Sequence, residues 1–283
     1  MKKFENRIIV TDLDGTLLND KERVSERNRK AIDHFKANGG LFTIATGRVA
    51  QHVWGAIPDV DELVNFPAVT CNGACLYDFR TGESPVLHVM GFEDVKRLVG
   101  FIRENYPDAG IRASSPNYCF VTTPDDTKNV YIMDDLERYR GQSNLTAPIE
   151  EWEREPVMKV VIRMDSHLIC GAMEAITREF GEKYSVTRSW STIIDVQLGG
   201  VNKGVTLKNY IAEKMGEGVT LYACGDYLND LEMLRVADVA VCPSGAHDAI
   251  KEASHLCLCS NNDGLIADLV EHIEMEIMRS SEK

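Results

Sequence analysis

Along this chain, short apolar runs that end at glycine or acidic turns alternate with segments whose apolar residues recur every three or four positions. The first run, Ile8-Ile9-Val10, predicts a buried strand that opens into Asp12-Leu13-Asp14-Gly15. A helix is expected next, with Ser25 as its N-cap, Ala31, Ile32 and Phe35 as its apolar stripe and Gly39-Gly40 as its stop. Leu41 to Ala45 reads as a second buried strand ending at Thr46-Gly47-Arg48. After a further helical stretch, Ala68-Val69-Thr70-Cys71 reads as a third, ending at Asn72-Gly73. Strands alternating with helices in this way predict an α/β fold, a parallel sheet with covering helices.

Near Thr81-Gly82 the rhythm changes. Strand candidates at Pro85 to Val89, Gly110 to Ala113 and Tyr118 to Thr122 lie close together, with one helical face at Val95, Leu98, Val99 and Ile102. A stretch rich in Asp, Glu and Pro runs on to Glu155-Pro156 and reads as surface. Val157 to Arg163, a helix from His167 to Phe180, and Tyr184 to Arg188 complete a separate α+β unit. The parallel rhythm then resumes with Ile193-Ile194-Asp195-Val196, a helix opening at Asn202-Lys203-Gly204, and a strand over Val219 to Cys224 that ends at Gly225-Asp226-Tyr227-Leu228-Asn229-Asp230. Short strands at Val239 to Cys242 and Leu256 to Cys259 precede a last helix from Gly264 to Met278. The expected organisation is a core made of residues 1–82 and 189–283, with residues 83–188 inserted as the second unit.

Composition narrows the partners. The 283 residues are 44% hydrophobic, enough for a sizeable core, and carry 31 Lys and Arg against 44 Asp and Glu, a formal net charge of -13. A polyanionic nucleic acid is therefore not expected as a partner, whereas a small phosphorylated metabolite is compatible with a local cationic site or a metal ion. The start lacks a signal-peptide pattern, and no run approaches the roughly 18 apolar residues that span a bilayer, so a cytoplasmic protein without membrane contact is expected, as monomer or homodimer. The eight cysteines include no pair at zinc-ligand spacing with histidines, and read as reduced, mostly buried small hydrophobes. The seven histidines show no ligand spacing and receive no role; Trp54, Trp152 and Trp190 read as packing residues, with Trp190 the one to follow.

Three strands end in chemically loaded turns: Asp12 with Asp14, Thr46-Gly47, and Asp226 with Asn229-Asp230. In an open α/β sheet, ligands bind beyond the carboxyl ends of the strands, so the fold would gather all three at one edge, with Lys203 at a helix start beside them. Strand geometry continued through Leu13 would put Asp12 and Asp14 on one side. Each element alone has a plain structural reading: an Asp-Gly turn, a strand-to-helix turn, a solvated lysine, an acidic N-cap. Their joint order is what points to chemistry. Asp12, Asp226 and Asp230 at one site would repel, each close pair by about 4 kcal/mol at an effective dielectric near 20. A divalent cation resolves that cost, and oxygen ligands alone suit Mg²⁺ better than zinc. With Mg²⁺ and Lys203 present a phosphate could enter, leaving one carboxylate to attack phosphorus.

DLDGTLL, then Thr46-Gly47-Arg48, then Lys203, then GDYLND resembles the ordered four-motif signature of the haloacid dehalogenase superfamily of phosphohydrolases. Thr70-Cys71-Asn72-Gly73-Ala74, Val201-Asn202-Lys203-Gly204 and Asn261-Asn262-Asp263-Gly264 are similar to the Cof-type branch, subfamily IIB, whose large class-two cap lies between the second and third motifs. The resemblance covers both core segments and matches the inserted unit in position and size only. It implies a Rossmann-like three-layer α/β/α core with an inserted α+β class-two cap, and a Mg²⁺-dependent phosphatase acting on sugar phosphates or phosphorylated cofactors. By position it implies Asp12 as nucleophile and metal ligand, and Asp14 as acid and base whose carbonyl also binds the metal. The Leu13 backbone, Thr46, Gly47, Lys203 and Asn229 would hold the phosphate, Asp226 the metal, and Asp230 would support both. Departures are Cys71 for serine, Asp195 for glutamate, the bulkier Tyr227, and a Val241–Ala246 run in which Ser244 would replace an asparagine. A sugar phosphomutase and a non-catalytic sugar-phosphate sensor stay open as alternatives.

Overall fold

A computed structural model describes residues 2–281. Five strands form an all-parallel sheet in the order Leu256–Leu258, Val239–Pro243, Thr220–Cys224, Arg7–Thr11, Leu41–Ile44. Buried on both sides except at the edge strand Leu256–Leu258, these strands are apolar in nearly every position. Ile9, Phe42, Ile44 and Tyr222 meet Ile32 and Phe35 of the helix Glu26–Ala37 and Leu269 and Ile273 of Leu265–Ser281. Ile8, Val10, Leu221 and Ala223 meet Leu207 of the helix Lys203–Met215, Met233 of Leu231–Val236 and Ile250 of Asp248–Ala253. The result is a three-layer α/β/α sandwich. The register sets Thr11 beside both Cys224 and Ile44, so three loops leave the sheet level with one another.

A second sheet runs Tyr184–Trp190, Ile193–Leu198, Lys159–Arg163, Gly110–Ser114, Phe120–Thr122, Asn144–Thr146, antiparallel except for its last pair. Its strands alternate. Ile111, Ala113, Val160, Ile162, Ile194 and Val196 pack on the helices Phe92–Asn105 and Ile169–Phe180. Arg112, Lys159, Val161, Arg163 and Asp195 face the opposite way, into a cavity between the two sheets.

Three expectations need correction. Ile193–Leu198, expected to resume the parallel sheet, pairs antiparallel with Lys159–Arg163 in the second sheet; its alternation of Ile194 and Val196 with Asp195 and Gln197 suits a sheet with one polar face. Ala68–Thr70 forms a small antiparallel sheet with Cys75–Tyr77 and Val86–Leu87, and reaches the parallel sheet through a single bridge from Val69 to Ala45. The polar stretch before Glu155 is not all surface. It contains the helix Val130–Arg138, the edge strand Asn144–Thr146 and a short turn that buries Trp152 completely, its indole N–H donating to the Ala147 carbonyl.

The chain passes between the two units twice. His88, whose N–H donates to the Ala74 carbonyl at 2.7 Å, and Gly200-Val201 line one small hollow, so the outgoing and returning segments run side by side. Among the described residues no helix is long and apolar enough to cross a membrane. All eight cysteines are free, and five of them are buried.

Candidate active site

The strand Arg7–Thr11 stops one residue before Asp12, and the wide turn Leu13–Leu17 closes with Leu18 N–H on the Leu13 carbonyl at 2.9 Å. Both Asp12 and Asp14 line the cavity, brought there by the turn and not by an extended strand through Leu13. Gly15 makes the turn possible. Its φ is +80°, and a Cβ there would lie 2.3 Å from Asp226 Oδ2. Thr16 Oγ1 donates to Asp226 Oδ1 at 3.1 Å, tying the first loop to the acidic loop after Thr220–Cys224.

Asn202 caps the helix Lys203–Met215, its side chain accepting from Val205 N–H at 2.8 Å. That cap aims Lys203, fully buried, under the cavity floor. Its Nζ donates to Asp12 Oδ1 at 2.6 Å and to Asp230 Oδ1 at 2.7 Å. Asp230 Oδ2 accepts the N–H groups of Asp226 and Tyr227, so both Asp230 oxygens are committed to shaping the loop and holding Lys203. Oxygens of Asp12, Asp226 and Asp230 lie within 4.8 Å of one another.

Three carboxylates thus share one ammonium. Burial pushes the Asp12 carboxyl well above the ordinary carboxylate range; Lys203 opposes the rise, and Asp230, Asp226 and Asp14 add to it. Burial and then Asp230 push Asp226 up to about 6. Burial alone would lower the Lys203 ammonium, but Asp12 and Asp230 outweigh it and hold it raised. The surplus of negative charge in an all-oxygen donor set fits a hard divalent cation. Asp12 and Asp226 offer it oxygens at the cavity, whereas both Asp230 oxygens already accept hydrogen bonds.

On the rim, Arg48 grips Asp14 with two bonds, Nε to Oδ2 at 2.9 Å and a terminal nitrogen to Oδ1 at 2.5 Å. Thr46 is buried, its hydroxyl accepting from Arg48 N–H at 3.1 Å. Asn229 Nδ2 donates to Asn72 Oδ1 at 3.2 Å, and Asn72 Nδ2 to Asp195 Oδ2 at 3.2 Å. Lys159 completes the chain of contacts, donating to Asp195 Oδ2 at 3.0 Å and to the Gly47 carbonyl at 3.1 Å. These bonds join the second sheet to the loops of the first.

Asp12, Asp14, Gly47, Asp226 and Asn229 therefore line one cavity of about 780 Å³, while Lys203, Thr46 and Leu13 lie behind its wall. Ser244, exposed, is not among its lining residues. Sequence reasoning missed His52, which received no role yet lines the cavity stacked on Tyr139 with ring centroids 3.8 Å apart. It also missed Arg48 as the partner of Asp14, and the polar face built by Arg112, Lys159 and Arg163. The signal for that face was partial: Lys159 and Arg163, four apart, fall on one side of a strand whose three middle residues are all apolar. Trp190, expected to pack, is 66% exposed at the cavity mouth.

A family model described as haloacid dehalogenase-like hydrolase matches residues 9–270. The chain is 26% identical over 269 residues to the Bacillus subtilis 5-amino-6-(5-phospho-D-ribitylamino)uracil phosphatase YcsE, covering 94% of this chain and 95% of that protein. It is 24% identical over 275 residues to the Escherichia coli pyridoxal phosphate phosphatase YbhA, covering 93% and 97%. Among solved structures, it shares the fold of the HAD subclass IIB sugar phosphatase BT4131 with a TM-score of 0.77 at 20% identity, over 96% of this chain and 99% of that one.

Proposed function

Because the chain belongs to the haloacid dehalogenase-like hydrolases, we propose that it is a phosphoric monoester hydrolase that cleaves small phosphate monoesters through an aspartyl phosphate. One observation carries this reading: Lys203, buried under the cavity, fixes a single oxygen of Asp12 and leaves the other free at the floor, with Asp14 on the rim above. Asp12 Oδ2 attacks phosphorus, and the bond to the leaving alcohol breaks as Asp14 gives that oxygen a proton. Asp14, now ionised, takes a proton from the water that splits the acyl phosphate, which frees Asp12 and inorganic phosphate.

Lys203 neutralises charge beside the attacked phosphoryl group, and the backbone of Leu13 and Gly47, the Thr46 hydroxyl and Asn229 orient its oxygens. Asp12, Asp226 and the Asp14 carbonyl would hold Mg²⁺, which when bound offsets the charge of the carboxylates and the phosphate. Arg48 holds both oxygens of Asp14, so Asp14 reaches the leaving group once substrate has displaced that grip. The second sheet acts as the cap, closing on the substrate and excluding bulk water. Sugar phosphates and phosphorylated cofactors are the proposed substrates, in keeping with the names of the relatives.

A phosphate-release screen with Mg²⁺ over sugar phosphates, nucleotides and phosphorylated cofactors tests this reading. Turnover that EDTA stops and Mg²⁺ restores is expected. Asp12→Asn, similar in shape and still beside Lys203, should lower kcat by at least about 10⁴-fold with the thermal transition intact. Appreciable residual turnover would remove Asp12 as nucleophile.

A further inference from the structure

We propose that the preferred substrate carries a second anionic group, a phosphate or a carboxylate, on its leaving-group side, and that Arg112, Arg138, Lys159 and Arg163 select it. The inference rests on the phosphatase reading and extends it to the substrate class. The wall of the cavity contributed by the second sheet and its helix Val130–Arg138 presents these four cations to the site. Asp134 and Asp135 hold Arg163, Asp195 holds Lys159 and Glu22 holds Arg138, so the guanidinium with nitrogens to spare is that of Arg112.

The cations are built in. Arg112 is 8% exposed and stands on the middle of the site-facing side, directly paired in register with Val161, which is paired in turn with Asp195. Asp135, itself buried, fixes both arginines, accepting from Arg112 Nε at 2.7 Å and from Arg163 at 2.5 Å. That arrangement spends one nitrogen of Arg112. Among the described residues its two terminal nitrogens have no partner in the chain, and the buried Arg163 Nε has none either. A bidentate acceptor such as a phosphate or carboxylate matches two free guanidinium nitrogens.

His52 lies in the same cavity, and its Nε2 is buried without a partner among the described residues. Burial first, and then Arg112, Arg48, Lys159 and Arg138, drive its imidazole down to about 2. The positive field of the wall therefore converges on space beside His52. An uncharged leaving group would leave that field unanswered.

The test compares matched esters with Mg²⁺ present: fructose 1,6-bisphosphate against fructose 6-phosphate for a second phosphate, and 3-phosphoglycerate against glycerol 3-phosphate for a carboxylate. At least a tenfold higher kcat/KM, carried by KM, is expected for the doubly anionic member of one pair, and the pair that shows it identifies the group. Arg112→Gln should bring that ratio close to one. Arg138→Gln, at an exposed position beside Glu22 and the Tyr139 ring, keeps the core intact and should lower the same ratio severalfold. Equal kcat/KM within both pairs, or a ratio that survives both variants, overturns the inference. Hydrolysis of p-nitrophenyl phosphate separates the two readings. If it proceeds without preference between paired esters, the second-anion inference alone falls; if no ester is cleaved, the phosphatase reading falls with it.

Discussion

Asp12 and Asp226 owe their raised protonation tendency first to burial and then to crowding by other carboxylates, and small residues decide how close that crowding is. Gly15→Ala puts a methyl 2.3 Å from Asp226 Oδ2 at a φ of +80°. We expect a loss of about 1–3 kcal/mol in denaturant unfolding, together with weaker Mg²⁺ activation because Asp226 must move. Unaltered Mg²⁺ dependence would show that Gly15 serves the turn alone. His52 supplies a pH prediction. Its folded value of about 2 lies below the unfolded value near 6.5, so the unfolded chain binds the proton and the folded chain does not. Stability is therefore lost as pH falls through 6.5. Between pH 7.5 and 5.5 the wild type should lose about 1.4 kcal/mol more than His52→Gln, measured by urea unfolding; equal losses would mean that His52 takes its proton inside the fold. Asp12, Asp14 and Lys203 were legible because they sit at fixed places beside strand and helix ends. His52 was not, since nothing near it in sequence marks a partner such as Tyr139, which arrives from the inserted unit.

At the scale of elements, the strand Lys159–Arg163 performs two jobs through its two faces. Val160 and Ile162 anchor it to the helices behind, while Lys159, Val161 and Arg163 face the cavity. The strand itself could be read from sequence. The contacts of its polar face could not, because Lys159 meets partners 36 and 112 positions away. The helix Val130–Arg138 escaped notice for a different reason: its apolar face is short, Ile132 and Leu136, and it lies in a stretch crowded with charged residues. Lys159→Met should destabilise the protein by about 3–5 kcal/mol, since Asp195, 2% exposed, would be left with Asn72 and no cation. Adding Asp195→Asn should recover most of that loss in a double-mutant cycle. Additive losses would show that the two side chains carry no coupling energy.

For the molecule as a whole, the α/β/α sandwich was legible in the alternation of strands and helices, but the place where the chain returns to it was not. Ile193–Leu198 looks like a core strand until its polar face is matched to a cavity. The charge surplus at the site also makes a global prediction. Mg²⁺ at a hundred times its dissociation constant should stabilise the fold by about 2.7 kcal/mol, read as a rise in Tm over Na⁺ at matched ionic strength. Asp226→Asn should remove most of the rise, and a rise that survives it would place the ion elsewhere. The paired segments at His88 and Gly200-Val201 have a mechanical meaning. Two backbones lying side by side act as one axle. Relative motion that keeps both cores intact is then a swing through a single arc, carrying Arg112 and Lys159 away from Asp12 together. On the proposed phosphatase reading, entry of a substrate and departure of a product would share that arc and so alternate.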